Sequence, residues 1–252
     1  MEELYSKALL NFGRKILRIL RKPKKFLIIE LTCAHLQLKE NGQKNLRINR
    51  KNKRFVYLIS PNKIKNEDFY TKLDQVLSSK KVSFFQLRLK KEKIINRIYI
   101  GKKIKKICKK YKVKFLINDD PMLAKKINAD GCHLGQKDMN ILKARKILKN
   151  KIIGITCHNS VYLAKKAVED GANYLSFGAF YSSKTKKVKY RANLKILSLA
   201  KKLTNTPIVA IGGIKDTNYK KLLLNKVNFL AISSYIWNNK KLNPKEAINK
   251  LI

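Results

Sequence analysis

VKFLINDDPMLAKKINADGCHLGQKDM, residues 113–139, is the stretch whose reading decides the fold. It opens on an apolar run at 113–117, short enough for a buried strand. Asn118-Asp119-Asp120 breaks the run, and Pro121 then opens a short helical turn over 121–127, a position that suits proline. A second, weaker apolar run at 131–134 leads into Gly135 and Asp138, and a helical pattern starts at Met139. Strand, helix, strand, helix in so few residues implies parallel strands, which need a crossover of this kind. Two carboxylates, Asp119 and Asp138, stand just beyond the ends of the two runs.

The same alternation extends in both directions. Strands are expected at 55–59, 84–87, 113–117, 131–134, 152–156, 174–177, 207–211 and 229–232. Helices are expected at 67–78, 91–111, 121–127, 139–148, 160–169, 194–203, 217–224 and 244–251. Eight such units predict an α/β fold of the (β/α)8 TIM-barrel class, occupying residues 54–252. Residues 1–53 do not fit the scheme. Leu9, Leu10, Ile16, Leu17, Ile19 and Leu20 alternate with Arg14, Lys15, Arg18 and Arg21 in the manner of a basic amphipathic helix. A polar linker at 39–53 follows, so this segment is taken as a basic N-terminal helical extension. Glu2 and Glu3 argue against a standard transit peptide.

Composition narrows the class. The chain has 252 residues, 44% of them hydrophobic, and no apolar run long enough to span a membrane. Its four cysteines, Cys33, Cys108, Cys132 and Cys157, are scattered, so neither a disulfide framework nor a zinc site is indicated. That fits a reducing compartment and a cytoplasmic location. The net charge of +43 invites a nucleic-acid reading. The lysines, however, are spread over every segment and travel with Ile and Asn, as A/T-rich codon usage would produce. No specific nucleic-acid partner is expected, while a cationic surface still favours encounter with anionic substrates. The sequence leaves open whether copies associate into a homo-oligomer.

In barrels of this type the chemistry sits in the loops that follow the strands. After the second strand come Gln86, Arg88 and Lys90, whose alternate spacing allows them to project together. Two cations and an amide suit a pyrophosphate. Asn118, Asp119 and Asp138 follow strands three and four. A pair of hard oxygen ligands suits Mg2+, which keeps several waters and substrate phosphates in its shell. The same two carboxylates could instead serve as a turn residue before Pro121 and as the cap of the helix near Met139. Thr156 and His158 follow strand five. Ser182-Ser183-Lys184-Thr185-Lys186 follows strand six and places hydroxyls and cations where phosphate oxygens could lie. Gly212-Gly213 after strand seven lets backbone approach a phosphate closely. Ser233 and Ser234 begin a helix after strand eight, where free N–H groups attract an anion. A divalent cation and a cationic clamp on one side, with a monophosphate cradle on the other, suit joining a pyrophosphate-activated group to a phosphorylated acceptor.

With these residues placed, the series Gln86–Lys90, Asn118-Asp119, 130–138, 154–158, 183–186 and 210–214 resembles that of the thiamine-phosphate synthase family, in order and spacing from about Arg54 onward. The resemblance implies a Mg2+-dependent transferase of thiamine biosynthesis. It would condense hydroxymethylpyrimidine pyrophosphate with thiazole phosphate, releasing pyrophosphate and thiamine phosphate. It further implies that Gln86, Arg88, Lys90, Asn118, Thr156 and Lys186 contact the pyrimidine pyrophosphate and that Asp119 and Asp138 hold Mg2+. Ser183, Thr185, Gly212, Gly213, Ile232 and Ser233 would hold the thiazole phosphate. Arg88, Lys90 and Lys186 would then be the catalytic cations, stabilising the departing pyrophosphate in a dissociative substitution. Leu89 stands where the family commonly has an acidic residue, Thr156 where it has Ser, Ser183 where it has Thr, and Ala192 where a Gly often occurs. The rival within the same fold is the related thiazole tautomerase, which His158 could serve as a proton shuttle. A more distant one is a barrel reused for binding nucleic acid.

Overall fold

The computed structural model describes residues 54–182 and 190–251. The extension at 1–53 and the site candidates Ser183, Thr185 and Lys186 lie outside the described residues. Eight parallel strands close into a barrel in chain order, with the first strand paired to the last. They are β1 (Val56–Ile59), β2 (Val82–Leu87), β3 (Lys114–Asn118), β4 (Gly131–Leu134), β5 (Ile152–His158), β6 (Tyr174–Gly178), β7 (Ile208–Ile211) and β8 (Phe229–Ile232). Between them run α1 (Asp68–Ser78), α2 (Ile94–Lys110), α3 (Pro121–Lys126), α4 (Ile141–Leu148), α5 (Val161–Glu169), α6 (Lys195–Leu203) and α7 (Tyr219–Leu224). Two helices follow β8: α8 (Ser234–Trp237) and α9 (Pro244–Asn249).

Strand alternation divides the core into two parts. Val56 and Leu58 face the helices, while Tyr57 and Ile59 face the barrel axis. The axis is filled by large side chains, among them Tyr57, Phe84, Leu116, Tyr174, Val209 and Phe229. Phe84 meets Phe229 edge to face with centroids 4.9 Å apart. The barrel is therefore packed, and an open site is confined to its mouth. Gly154 belongs to this filling: a Cβ there would fall within the Tyr174 ring.

The outer layer follows helical periodicity. In α1 the buried residues are Phe69, Leu73, Val76 and Leu77, one stripe against the sheet. The seam between β8 and β1 is held from above, since Trp237 Nε1 donates to the Ile59 carbonyl at 2.7 Å and Ser233 Oγ to the Ser60 carbonyl at 3.1 Å. Among the described residues no helix is long and apolar enough to cross a membrane.

All eight expected strands are present, with differences at their ends. β2 starts at Val82, ahead of the expected 84, because Val82 already pairs with Val56. β5 runs on to His158 past an irregularity between Thr156 and His158. The bulge turns His158 into a left-handed conformation, with φ 52°. The helix expected from Met139 begins at Ile141, because the Asn140 side chain accepts the Lys143 N–H and caps it.

Candidate active site at the barrel mouth

Gln86, at the end of β2, is buried and its Nε2 donates to Asn118 Oδ1 on β3 at 2.5 Å. Arg88 and Lys90 lie beyond the end of β2, so strand alternation no longer governs where they point. Arg88 turns toward the loop after β1: its Nη1 donates to Asn62 Oδ1 at 2.9 Å and its backbone N–H to Ser60 Oγ at 2.9 Å. Lys90 turns the opposite way, and its Nζ lies 2.6 Å from Asp119 Oδ2. Gln86, Arg88 and Lys90 therefore do not project together as their alternate spacing predicts: Gln86 and Lys90 turn toward β3 and the loop after it, Arg88 toward the loop after β1. Leu89 is buried, 4% exposed, on the wall of a cavity of about 460 Å3 that Lys90, Asn118 and Asp119 also line. An apolar residue suits that wall.

The two candidate metal ligands come together. Asp119 leaves β3 in a left-handed conformation, φ 65°, and its carboxyl meets that of Asp138 through a side-chain hydrogen bond. Burial raises the Asp138 pKa above the usual carboxylate range, and the hydrogen bond and like charge of Asp119 add to that. Burial pushes Asp119 in the same direction, but Lys90 and the hydrogen bond from Asp138 outweigh it and leave Asp119 below its ordinary value. Neither residue is a helix cap. Asp120 caps α3, accepting the Leu123 N–H at 2.8 Å, and Asn140 caps α4. Asp138 instead accepts the Gly135 N–H at 2.7 Å, which closes the turn after β4. Among the described residues no group of three or more His, Cys, Asp or Glu could hold a metal. Two crowded carboxylates are the protein share that Mg2+ commonly takes. A cation between them would relieve their repulsion, so the donor set fits.

Thr156, near the end of β5, is partly exposed, and its Oγ1 lies 2.9 Å from His133 Nε2. Gln136 donates to the Thr156 carbonyl and ties the turn after β4 to β5. His133 is buried, and burial lowers its pKa to about 4, so the ring is neutral near pH 7. His158 packs against Tyr190, ring centroids 4.2 Å apart and planes tilted by 33°.

On the opposite side, Gly212 and Gly213 have φ 106° and 62°. A Cβ on Gly212 would strike Ala179 and one on Gly213 the Ser182 carbonyl. The glycines thus serve first to let the loop after β6 close over the end of β7. Phe180 N donates to Ile211 O and Tyr181 N to Gly212 O, both at 3.1 Å. Ala192 fits in the same closure: its N–H donates to Ala179 O at 2.9 Å, and its backbone is not left-handed, so glycine is not required there. Ile232 is buried at the end of β8, and Ser233 precedes α8. The serine hydroxyl is already engaged with Ser60 O.

Sequence reasoning did not foresee Ser60, Asn62, Tyr57 or Tyr174 as parts of this neighbourhood, and it gave Gln136, within the 130–138 run, no role of its own. Ser60 and Asn62 directly follow β1, where a search of strand ends would have found them.

A sequence model described as thiamine monophosphate synthase matches residues 56–236. The thiamine-phosphate synthase of Pelagibacter ubique is 74% identical over 203 residues, covering 81% of this chain and 98% of that protein. The thiamine-phosphate synthase of Clostridium acetobutylicum is 35% identical over 195 residues, covering 77% and 92%. Among solved structures, thiamine phosphate pyrophosphorylase from Pyrococcus furiosus superposes with a TM-score of 0.69 at 27% identity, covering 81% of this chain and 96% of that one.

Proposed function

The chain belongs to the thiamine-phosphate synthase family and has that family's activity, and from this premise we propose how its mouth residues join hydroxymethylpyrimidine pyrophosphate to thiazole phosphate. The observation that carries the proposal is the meeting of Asp119 with both Asp138 and Lys90 beside the Gln86–Asn118 pair. Asp119 and Asp138 would hold Mg2+, which when bound supplies positive charge against the pyrophosphate oxygens.

The remaining work falls to this chain's own side chains. Gln86 and Asn118 form a paired amide edge that orients the pyrimidine. Arg88 and Lys90, set on opposite sides of β2, hold the pyrophosphate from two directions, and Lys186 adds a third cation. As the bond from the pyrimidine methylene to the pyrophosphate oxygen breaks, that oxygen keeps the electron pair. Arg88, Lys90 and Lys186 would neutralise the charge that develops there. The thiazole nitrogen then supplies the pair for the new C–N bond and needs no general base. Ser183, Thr185, Gly212, Gly213, Ile232 and Ser233 form the cradle for the thiazole phosphate. A packed barrel axis beneath the mouth keeps water from reaching the reacting carbon from below.

The isomerase alternative is not favoured, since the relatives of high identity are synthases. Incubation of the purified chain with both phosphorylated precursors tests the proposal: thiamine phosphate should form with Mg2+ and stop on chelation. Undiminished synthesis in excess chelator would remove Mg2+ from the scheme.

A further inference from the structure

A chain of four polar side chains crosses the barrel beneath the mouth. Tyr57 Oη lies 2.7 Å from Tyr174 Oη. Tyr174 Oη lies 2.8 Å from His133 Nδ1, and His133 Nε2 lies 2.9 Å from Thr156 Oγ1. The first three residues are buried in the barrel, while Thr156 is partly exposed at the mouth.

The far end of the chain fixes its direction. Among the described residues, Tyr57 has one hydrogen-bond partner, the Tyr174 hydroxyl; around it pack Ile59, Phe84, Val209 and Phe229. If Tyr57 accepted from Tyr174, its own proton would be left in an apolar interior with no acceptor, which buried groups avoid. Tyr57 therefore donates to Tyr174. Tyr174 then donates to His133 Nδ1, which must be unprotonated, and the ring carries its single proton on Nε2. His133 Nε2–H donates to Thr156 Oγ1. A doubly protonated ring would force Tyr174 to donate to Tyr57 and recreate the stranded proton, so the same constraint excludes it. With His133 as donor, the Thr156 hydroxyl proton has no acceptor among the described residues.

We propose that Tyr57, Tyr174 and His133 are positioning residues that make the Thr156 hydroxyl a one-way donor at the barrel mouth, directed at an anionic oxygen of the bound pyrophosphate substrate. This rests on the placement of Thr156 in the pyrophosphate half of the site given above. The same arrangement accounts for Gly154: it stands where Tyr174 must lie flat to reach both Tyr57 and His133. It also gives a hydroxyl at position 156 a role that either Thr or Ser can fill.

Nitrogen-15 NMR of histidine-labelled protein reads the direction without any assay. The chain has three histidines, and the His133 signals are assigned by their loss in His133→Gln. The expected pattern is a neutral ring protonated on Nε2; a ring protonated on Nδ1, or on both nitrogens, would overturn the proposal. Kinetics read the consequence. Thr156→Val should lower kcat at least about tenfold, with the KM for thiazole phosphate within about twofold of wild type, and Thr156→Ser should restore it. His133→Leu should match Thr156→Val, the two together should be no worse than either alone, and His133→Gln, whose amide can still donate to Thr156, should recover part of the loss. Losses that multiply in the double variant, or full kcat in Thr156→Val, would overturn the role assigned to the chain. Should His133→Leu fail to fold, the wild-type spectrum and the Thr156 pair still decide. Failure of the functional reading is distinguishable, because a protein that makes no thiamine phosphate still reports its His133 tautomer.

Discussion

Lys90 Nζ and Asp119 Oδ2 lie 2.6 Å apart at the barrel mouth, so a proposed pyrophosphate cation and a proposed metal ligand are paired with each other. Each would exchange this partner for substrate or metal when the site fills. Lys90→Met removes the competing ammonium and the clamp together. Divalent cation binding by the substrate-free protein should be no weaker, as read by Mn2+ paramagnetic resonance. The kcat/KM for the pyrimidine pyrophosphate should fall about 10- to 100-fold. A loss of cation affinity would mean that Lys90 organises the carboxylates rather than competing for them.

Gly154→Ala should be among the most damaging single-methyl changes in the molecule. Its Cβ would overlap the ring of Tyr174, which lies buried at the barrel axis and has no room to retreat. Overpacking of this kind costs about 1–3 kcal/mol, to be read as a lower denaturant midpoint at unchanged slope. A wild-type midpoint would show that the axis packing is looser than the contacts indicate.

Much of the fold was legible because each strand is an apolar run bounded by a polar or glycine break, and a packed parallel barrel requires such runs. The ligand candidates were legible for a related reason, since strand ends are where a barrel exposes functional groups. What escaped depends on contacts across the barrel or on loop conformation. Nothing local in the sequence brings Tyr57 to Tyr174 and on to His133. Lys90 turns to Asp119 and Arg88 to Asn62 because the chain has left β2, so the two-residue period has lapsed. The capping alternative for Asp138 was settled by two residues, since Asn140 is nearer the start of α4 and equally suited to cap it.

The stability of the outer layer should respond to acid through Asp74. The hydrogen bond from Lys110 lowers its pKa most; burial opposes it, and the Tyr111 hydrogen bond and the Lys110 charge add to the lowering, so the pKa lies below the usual value. A depressed carboxyl contributes stability above its unfolded pKa and loses it as pH falls through the folded value. The Tm difference between wild type and Asp74→Asn should therefore be constant from about pH 5 to 8 and shrink below about pH 4. A difference that grows toward acid would contradict the assignment.

The barrel begins at Val56, and its elements are complete through α9. A chain starting at Arg54 should fold cooperatively and retain synthase activity within about a factor of three. Loss of cooperative unfolding would move the boundary into the preceding segment.

The central claim is that Asp119 and Asp138 act together to hold the cation against the leaving pyrophosphate. Asn at 119 tolerates the left-handed backbone there, so Asp119→Asn tests the carboxylate without adding strain. The decisive measurement is single-turnover formation of thiamine phosphate and pyrophosphate across a Mg2+ titration, for wild type, Asp119→Asn, Asp138→Asn and the double variant. The account predicts equal yields of the two products in wild type, rising with Mg2+. Each single variant should be slower by about 100-fold or more at a Tm within a few degrees of wild type, and the double variant little worse than either. Wild-type rates and Mg2+ dependence in both single variants would contradict it.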